Sequence, residues 1–174
     1  MDRYLWRPYA GMYLDYDFVT GKPSDDPYLT MFYPLWAGAA SSGQAQALRG
    51  KLALFEKPGG LAMSTRTTGA QWDAPFGWAP TNWLVAKGME EYGFDADARR
   101  IATKFMATVD RSLADDGTIR EKYNMAQGNA DVRVSAGYAE NVIGFGWTNG
   151  VYLKLQEILH HAKTKVAPAA AAAR

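Results

Sequence analysis

Two stretches of this chain hold side chains whose types and spacing suit chemistry. The first is Gln71-Trp72-Asp73-Ala74-Pro75-Phe76-Gly77-Trp78-Ala79-Pro80, with two tryptophans, two prolines, a carboxylate and an amide. Pro75 and Pro80 lack an N–H and fix φ, which excludes most of the stretch from a helix interior. Ala74 and Ala79 each precede a proline and are pushed to extended geometry. The outcome is a rigid loop that holds Trp72, Asp73 and Trp78 in fixed places. A pyranose has apolar C–H faces that lie on indole rings and hydroxyls that pair with carboxylates and amides, so the loop suits one wall of a sugar site. The same residues also suit a buried Trp-Pro corner that only packs a core. The second stretch is Ile119-Arg120-Glu121-Lys122-Tyr123. In an extended run side chains alternate, which puts Ile119, Glu121 and Tyr123 on one face and Arg120, Lys122 and Asn124 on the other. Glu121 then stands among apolar neighbours, away from the charges. A carboxylate in such surroundings can act as a general base; the alternative is an edge-strand glutamate paired with Lys122 or Arg120.

The elements that must position these stretches read as mainly helical. Tyr4-Leu5-Trp6 and the run 12–17 form a hairpin across Pro8 and Gly11, and 18–28 is a polar loop. Pro34 suits the first turn of a helix running to Ser41. Ser42 caps a second helix, with Ala45, Leu48, Leu52 and Phe55 at helical spacing. The run 61–69 is extended. Pro80 starts a third helix, with Val85, Gly88, Met89 and Tyr92 on one face and Gly93 as its stop. Asp95 caps a longer helix whose stripe is Ala98, Ile101, Ala102, Phe105, Val109 and Leu113. Asp115 and Asp116 belong to a turn. A last helix follows Asn149, with Val151, Leu155, Ile158 and Leu159 inward. These amount to about five helices with the candidate residues in the loops between them and no βαβ rhythm, the order expected of an α/α toroid. Residues 1–165 read as one unit, and 166–174, almost all alanine, as a disordered tail.

Composition narrows the function. The chain has 174 residues, 48% hydrophobic and 21% charged, enough for one domain with a real core. A net charge of +1 without a basic run gives a nucleic-acid partner no footprint. No apolar stretch approaches the ~20 residues that span a bilayer, so no membrane partner is expected. Zero cysteines exclude disulfides, thiolate metal sites and cysteine nucleophiles. His160 and His161 are adjacent in a helix, so their side chains diverge and make a poor metal pair; no metal site is expected. The start, Met1-Asp2-Arg3-Tyr4, shows no charged-then-apolar secretory pattern, and a cytoplasmic setting is the expectation it leaves.

Several motifs together resemble one family. The pattern Gln-Trp-Asp-x-Pro-x-Gly-Trp-x-Pro is that of the α,α-trehalases, and 71–80 match it throughout. Tyr33-Pro34-Leu35-Trp36-Ala37-Gly38, Pro58-Gly59-Gly60-Leu61, Glu121-Lys122-Tyr123 and Gly144-Phe145-Gly146-Trp147-Thr148-Asn149-Gly150 are similar to further trehalase segments, in the same order. The resemblance implies an (α/α)6 barrel with its active site in loops at one end, of which this chain is a partial toroid from the C-terminal portion. It implies inverting hydrolysis of trehalose, a small-molecule partner, to two glucoses without metal or organic cofactor, with Glu121 as the general base. Trp72, Asp73 and Trp78 become sugar-site residues. Glu140 corresponds to a substrate-contacting glutamate of a glycine-rich lid loop, although the glycine run is largely replaced here and Glu140 lies closer to Gly144 than in the family pattern. The family's general-acid aspartate sits in an upstream Ser-Gly-Trp-Asp-Phe-Ser-like segment that this chain lacks. The isolated chain is therefore expected to be inactive, with the N-terminal half of the barrel, or a second copy meeting its exposed helical edge, as a macromolecular partner. A non-catalytic sugar-binding or regulatory role, and hydrolysis of another α-glucoside, are the alternatives.

Overall fold

The computed structural model describes residues 1–166 and the side chains of residues 1–160. Of the tail expected to be disordered, 167–174 lies outside the described residues.

Three helices form the body. α4 (Ala79–Glu91) leaves the proline-bounded loop with Pro80 in its first turn, where a missing N–H breaks no helical bond. α5 (Asp95–Asp116) begins at Asp95 with Phe94 before it, and Asp95 and Asp97 lie in its first turn, where negative charge suits the helix dipole. Gly117, at φ 73°, ends it. α6 spans Gly146–Val166. These three pack on one another. α1 (Tyr33–Trp36) lies against α4 at Gly88. A Cβ on Gly88 would stand 2.8 Å from the Leu35 Cβ and 2.8 Å from the Trp36 nitrogen.

The periodicity holds where helix meets helix. Val85, Met89, Ala98, Ile101, Phe105, Val109, Leu155 and Ile158 are all buried. Leu113 is not; it is 47% exposed, and the buried stripe of α5 continues through Ser112 instead. The Ser112 Oγ donates to the Thr118 carbonyl at 3.2 Å and so ties the helix end to the turn that follows.

Other boundaries shift for local reasons. The helix after Pro34 stops at Trp36, short of Ser41, with Gly38 at φ 63°. Ser41, not Ser42, caps α2 (Ser42–Arg49): its Oγ accepts from the Gln44 N–H at 3.2 Å, and Gln44 Oε1 accepts from the Ser41 N–H at 2.7 Å, a reciprocal capping box. The helix breaks at Gly50 and resumes as α3 (Leu52–Phe55). Two hairpins stand where one was expected: β1 (Trp6–Arg7) with β2 (Met12–Tyr13), and β3 (Tyr16–Asp17) with β4 (Lys22–Pro23). The Asp17 carboxylate stabilises the second turn by accepting from the Val19 and Thr20 N–H groups.

Two further ribbons serve the site: β5 (Glu56–Lys57) with β6 (Gly60–Leu61), and β7 (Phe76–Trp78) with β8 (Lys122–Asn124). Asn82 of α4 fastens β6 in place. Its Oδ1 accepts from the Leu61 N–H at 2.8 Å, and its Nδ2 donates to the Leu61 carbonyl at 3.2 Å and the Trp78 carbonyl at 3.0 Å. Trp78 keeps a second donor in the Thr81 hydroxyl, so an Asn82→Leu change orphans mainly the two buried groups of Leu61. Each such group costs roughly 1–3 kcal/mol. Urea unfolding is expected to show N82L destabilised by about 3 kcal/mol, and a loss below about 0.5 kcal/mol would remove Asn82 from this role.

Candidate active site

The pairing of β7 with β8 brings the two chemically equipped stretches together. It sets Gly77 opposite Tyr123 and Trp78 opposite Lys122. Gly77 is the close-approach residue: a Cβ there would stand 2.5 Å from Met125 Cγ and 2.6 Å from the Leu61 carbonyl oxygen. On the far side of β8, the Glu121 N–H donates to the Val142 carbonyl at 2.9 Å and the Gly144 N–H to the Ile119 carbonyl at 2.7 Å. The Asn141 side chain completes this flank, accepting from the Lys122 N–H at 3.1 Å and donating to its carbonyl at 3.0 Å. The backbone carrying Glu121 is thus held on both sides and is not an edge.

Both faces of this segment are covered. Glu121 is 2% exposed and Lys122 is 0% exposed. The alternation argument put Lys122 opposite Glu121 with the other charges; instead its ammonium stands 3.6 Å from Glu121 Oε2, inside the protein. It lies 5.4 Å from the Trp78 ring centroid and 3.7 Å from that of Tyr138, and donates to Gln71 Oε1 at 3.5 Å and the Tyr138 carbonyl at 3.4 Å. Burial pulls the ammonium below the ordinary lysine range, against the opposing charges of Glu121 and Glu140. The Tyr138 hydroxyl donates to Glu121 Oε1. Burial of the phenol and the adjoining carboxylate push Tyr138 up to about 12. Glu121 Oε2 is buried and has no hydrogen-bond partner among the described residues.

The aromatic wall adjoins this cluster. Trp72, 44% exposed, stacks on buried Trp78 with centroids 4.2 Å apart and planes 10° from parallel. The Trp78 Nε1 donates to the Gln71 carbonyl at 3.1 Å. Trp147 meets Trp78 edge-on at 5.4 Å, and its Nε1 donates to the Glu121 carbonyl at 3.4 Å. Trp72, Trp78 and Glu121 therefore belong to one connected group, together with Gln71, Lys122, Tyr138 and Trp147. Asp73 takes another direction: Ser64 Oγ donates to its Oδ1 at 2.8 Å, the Tyr28 hydroxyl to the same oxygen at 3.2 Å, and Thr68 Oγ1 to its Oδ2. Glu140 is exposed, two residues past Tyr138, and reaches the cluster through its charge on Lys122. Sequence reasoning named Lys122 only as an edge-strand partner of Glu121, a pairing the structure shows away from any edge, and it missed Tyr138. A parity rule assumes one wet face, and this segment has none; for Tyr138 no local pattern announces the contact.

Residues 1–160 match the family model for trehalase. The chain belongs to the trehalase family. It is 40% identical over 172 residues to the periplasmic trehalase of Xanthomonas axonopodis, a match taking in 97% of this chain and 29% of that relative. Among solved structures, neutral trehalase from Saccharomyces cerevisiae superposes with a TM-score of 0.76 at 31% identity, covering 94% of this chain and 29% of that one. The GH63 mannosylglycerate hydrolase of Thermus thermophilus, in complex with glucose, gives 0.68 at 27% identity, covering 87% and 36%. This trehalase-family chain thus spans under a third of the length of the Xanthomonas relative, and its helices are part of an (α/α)6 toroid.

Asp73 offers a test of how the aromatic loop is held. Burial opposes its charge, but the hydroxyls of Thr68, Ser64 and Tyr28 and the charge of Arg66 outweigh burial and hold the carboxyl below its ordinary range. A group with a depressed folded-state pKa contributes stability in full above its unfolded value, near 3.8, and loses it as the pH falls through the folded one. D73N is expected to cost about 1–3 kcal/mol at pH 7, with the gap to the unaltered chain closing below about pH 4. Chemical unfolding across pH 2.5–7 reads this directly, and a pH-independent gap would rule it out.

Proposed function

We propose that this chain carries the general-base side of a trehalose-hydrolysing site, with Glu121 as the base. The observation that supports this reading best is the Glu121 carboxylate itself. It is buried, with one oxygen anchored by Tyr138 and its backbone carbonyl held by Trp147, while the other oxygen has no hydrogen-bond partner among the described residues and faces the Lys122 ammonium at 3.6 Å. A purely structural buried carboxylate would have both oxygens satisfied, as Asp73 has.

Inverting glycosidases use two carboxyl groups about 6.5–9.5 Å apart, with a water on the face opposite the leaving group. In this reading a water proton passes to Glu121, the water oxygen attacks the anomeric carbon, and the glycosidic oxygen leaves with a proton from an acid. That acid is assigned to the portion of the trehalase length that this chain does not span. Trp72 offers its exposed indole face to a glucose ring, with Trp78 as its backing. Asp73 contributes by holding the loop that carries both indoles. Glu140 contacts substrate from the loop above. The structural likeness to a mannosylglycerate hydrolase keeps a second reading, hydrolysis of a glycoside other than trehalose, such as another α-glucoside; the family match and the higher identity to trehalases favour trehalose.

Glucose release from trehalose tests the assignment. The chain alone is expected to release none. Mixed with the N-terminal portion of the Xanthomonas trehalase, it is expected to regain turnover, and Glu121→Gln to lower kcat roughly 100-fold or more. E121Q turning over at the unaltered rate would remove Glu121 from the role of base. Cleavage of mannosylglycerate in place of trehalose would favour the second reading.

A further inference from the structure

The two oxygens of a carboxylate are equivalent until the protein distinguishes them, and here it does. We propose that Tyr138 is the positioning residue of Glu121: its hydroxyl anchors Oε1 and so presents Oε2 to the reacting water. The inference rests on the reading of Glu121 as the base. Its own support is geometric. The Tyr138 hydroxyl lies on Oε1, while Oε2 stays buried and, among the described residues, without a hydrogen bond. Lys122 is too far from Oε2, at 3.6 Å, to serve as a close donor. Its ammonium instead sits 3.7 Å from the Tyr138 ring centroid and donates to the Tyr138 carbonyl, pinning the ring from below.

Tyr138 is 45% exposed, yet its loop is fastened at both ends. Before it, the Ser135 N–H donates to the Gly69 carbonyl at 2.9 Å and the Gln71 N–H to the Ala136 carbonyl at 3.3 Å. After it, 141–144 pairs with 119–122. Gly137 makes the intervening turn at φ 106°, where a Cβ would stand 3.0 Å from the Gln71 side chain. The phenol is therefore delivered to the carboxylate by the backbone on either side, and it stays a protonated donor because burial and Glu121 push its pKa up to about 12.

Ultraviolet titration of phenolate tests the anchor without requiring turnover. E121Q leaves burial alone to raise Tyr138, so near about pH 11, where ordinary tyrosines have ionised, it is expected to show more phenolate than the unaltered chain. Y138F should match the unaltered chain in that range, and E121Q/Y138F should lose the added signal. An E121Q curve identical to the unaltered one, or a phenolate missing from Y138F, would overturn the anchor. In the complemented enzyme, Y138F is expected to lower kcat about tenfold with KM unchanged; a Y138F kcat equal to the unaltered one would overturn the positioning role even with the anchor present. Absence of turnover in the unaltered mixture would count against the trehalose reading alone, and the titration would still decide the anchor.

Discussion

The short antiparallel pairing of β7 with β8 is the constraint on which the site depends. The ribbon is three residues on a side, yet it sets Trp78 opposite Lys122 and so joins an aromatic loop to a charged segment far along the chain. Its close approach is permitted by the missing side chain at Gly77, which lets the strand lie against Met125 and the Leu61 carbonyl. Asn82 then ties β6 and the end of β7 to α4. The loop is positioned from the helical body through hydrogen bonds to backbone, which fix a strand more tightly than apolar contact alone.

The cost of this arrangement falls on Lys122. A buried ammonium loses several kcal/mol of hydration, and the pull of its pKa below the ordinary range reflects that loss. Compensation comes from several weak partners: a carboxylate oxygen at 3.6 Å, two neutral acceptors at 3.4–3.5 Å, and two ring faces. Cation–π contacts gain strength when desolvated, so the aromatic residues suited to a sugar site also steady the charge beneath it. Surface pairs such as Lys154 with Glu157, both half exposed, are of a different kind, screened by solvent and worth little to stability.

Much of the helical body was legible because helix periodicity is a local property. Val85, Met89, Ile101, Phe105, Leu155 and Ile158 occupy the buried faces that their spacing indicated. Departures occurred where a neighbour or turn intervened. Leu113 fell off the stripe as Ser112 turned inward to the Thr118 carbonyl, and the expected second helix broke at Gly50 although Ala45, Leu48, Leu52 and Phe55 all remained buried. In the site, Trp72, Trp78 and Glu121 were singled out from residue types and motif, and the structure brings them into one group. Asp73 was singled out with them, but three hydroxyl donors hold it elsewhere.

The sequence by itself determined the family, the helical stripes and the rigidity of the 71–80 loop, because motifs, spacing and proline geometry act within a few residues of chain. Only the tertiary structure decided the surroundings of Glu121. The alternation rule counts faces on one strand and presumes that one of them meets water. Here β7 and the 141–144 segment flank the strand while Trp78, Trp147 and Tyr138 cover it, so neither face is wet and Lys122 is drawn inside beside the carboxylate. That Tyr138 holds one oxygen of Glu121 while the other faces Lys122 depends on bringing together segments distant in sequence, which no local pattern encodes.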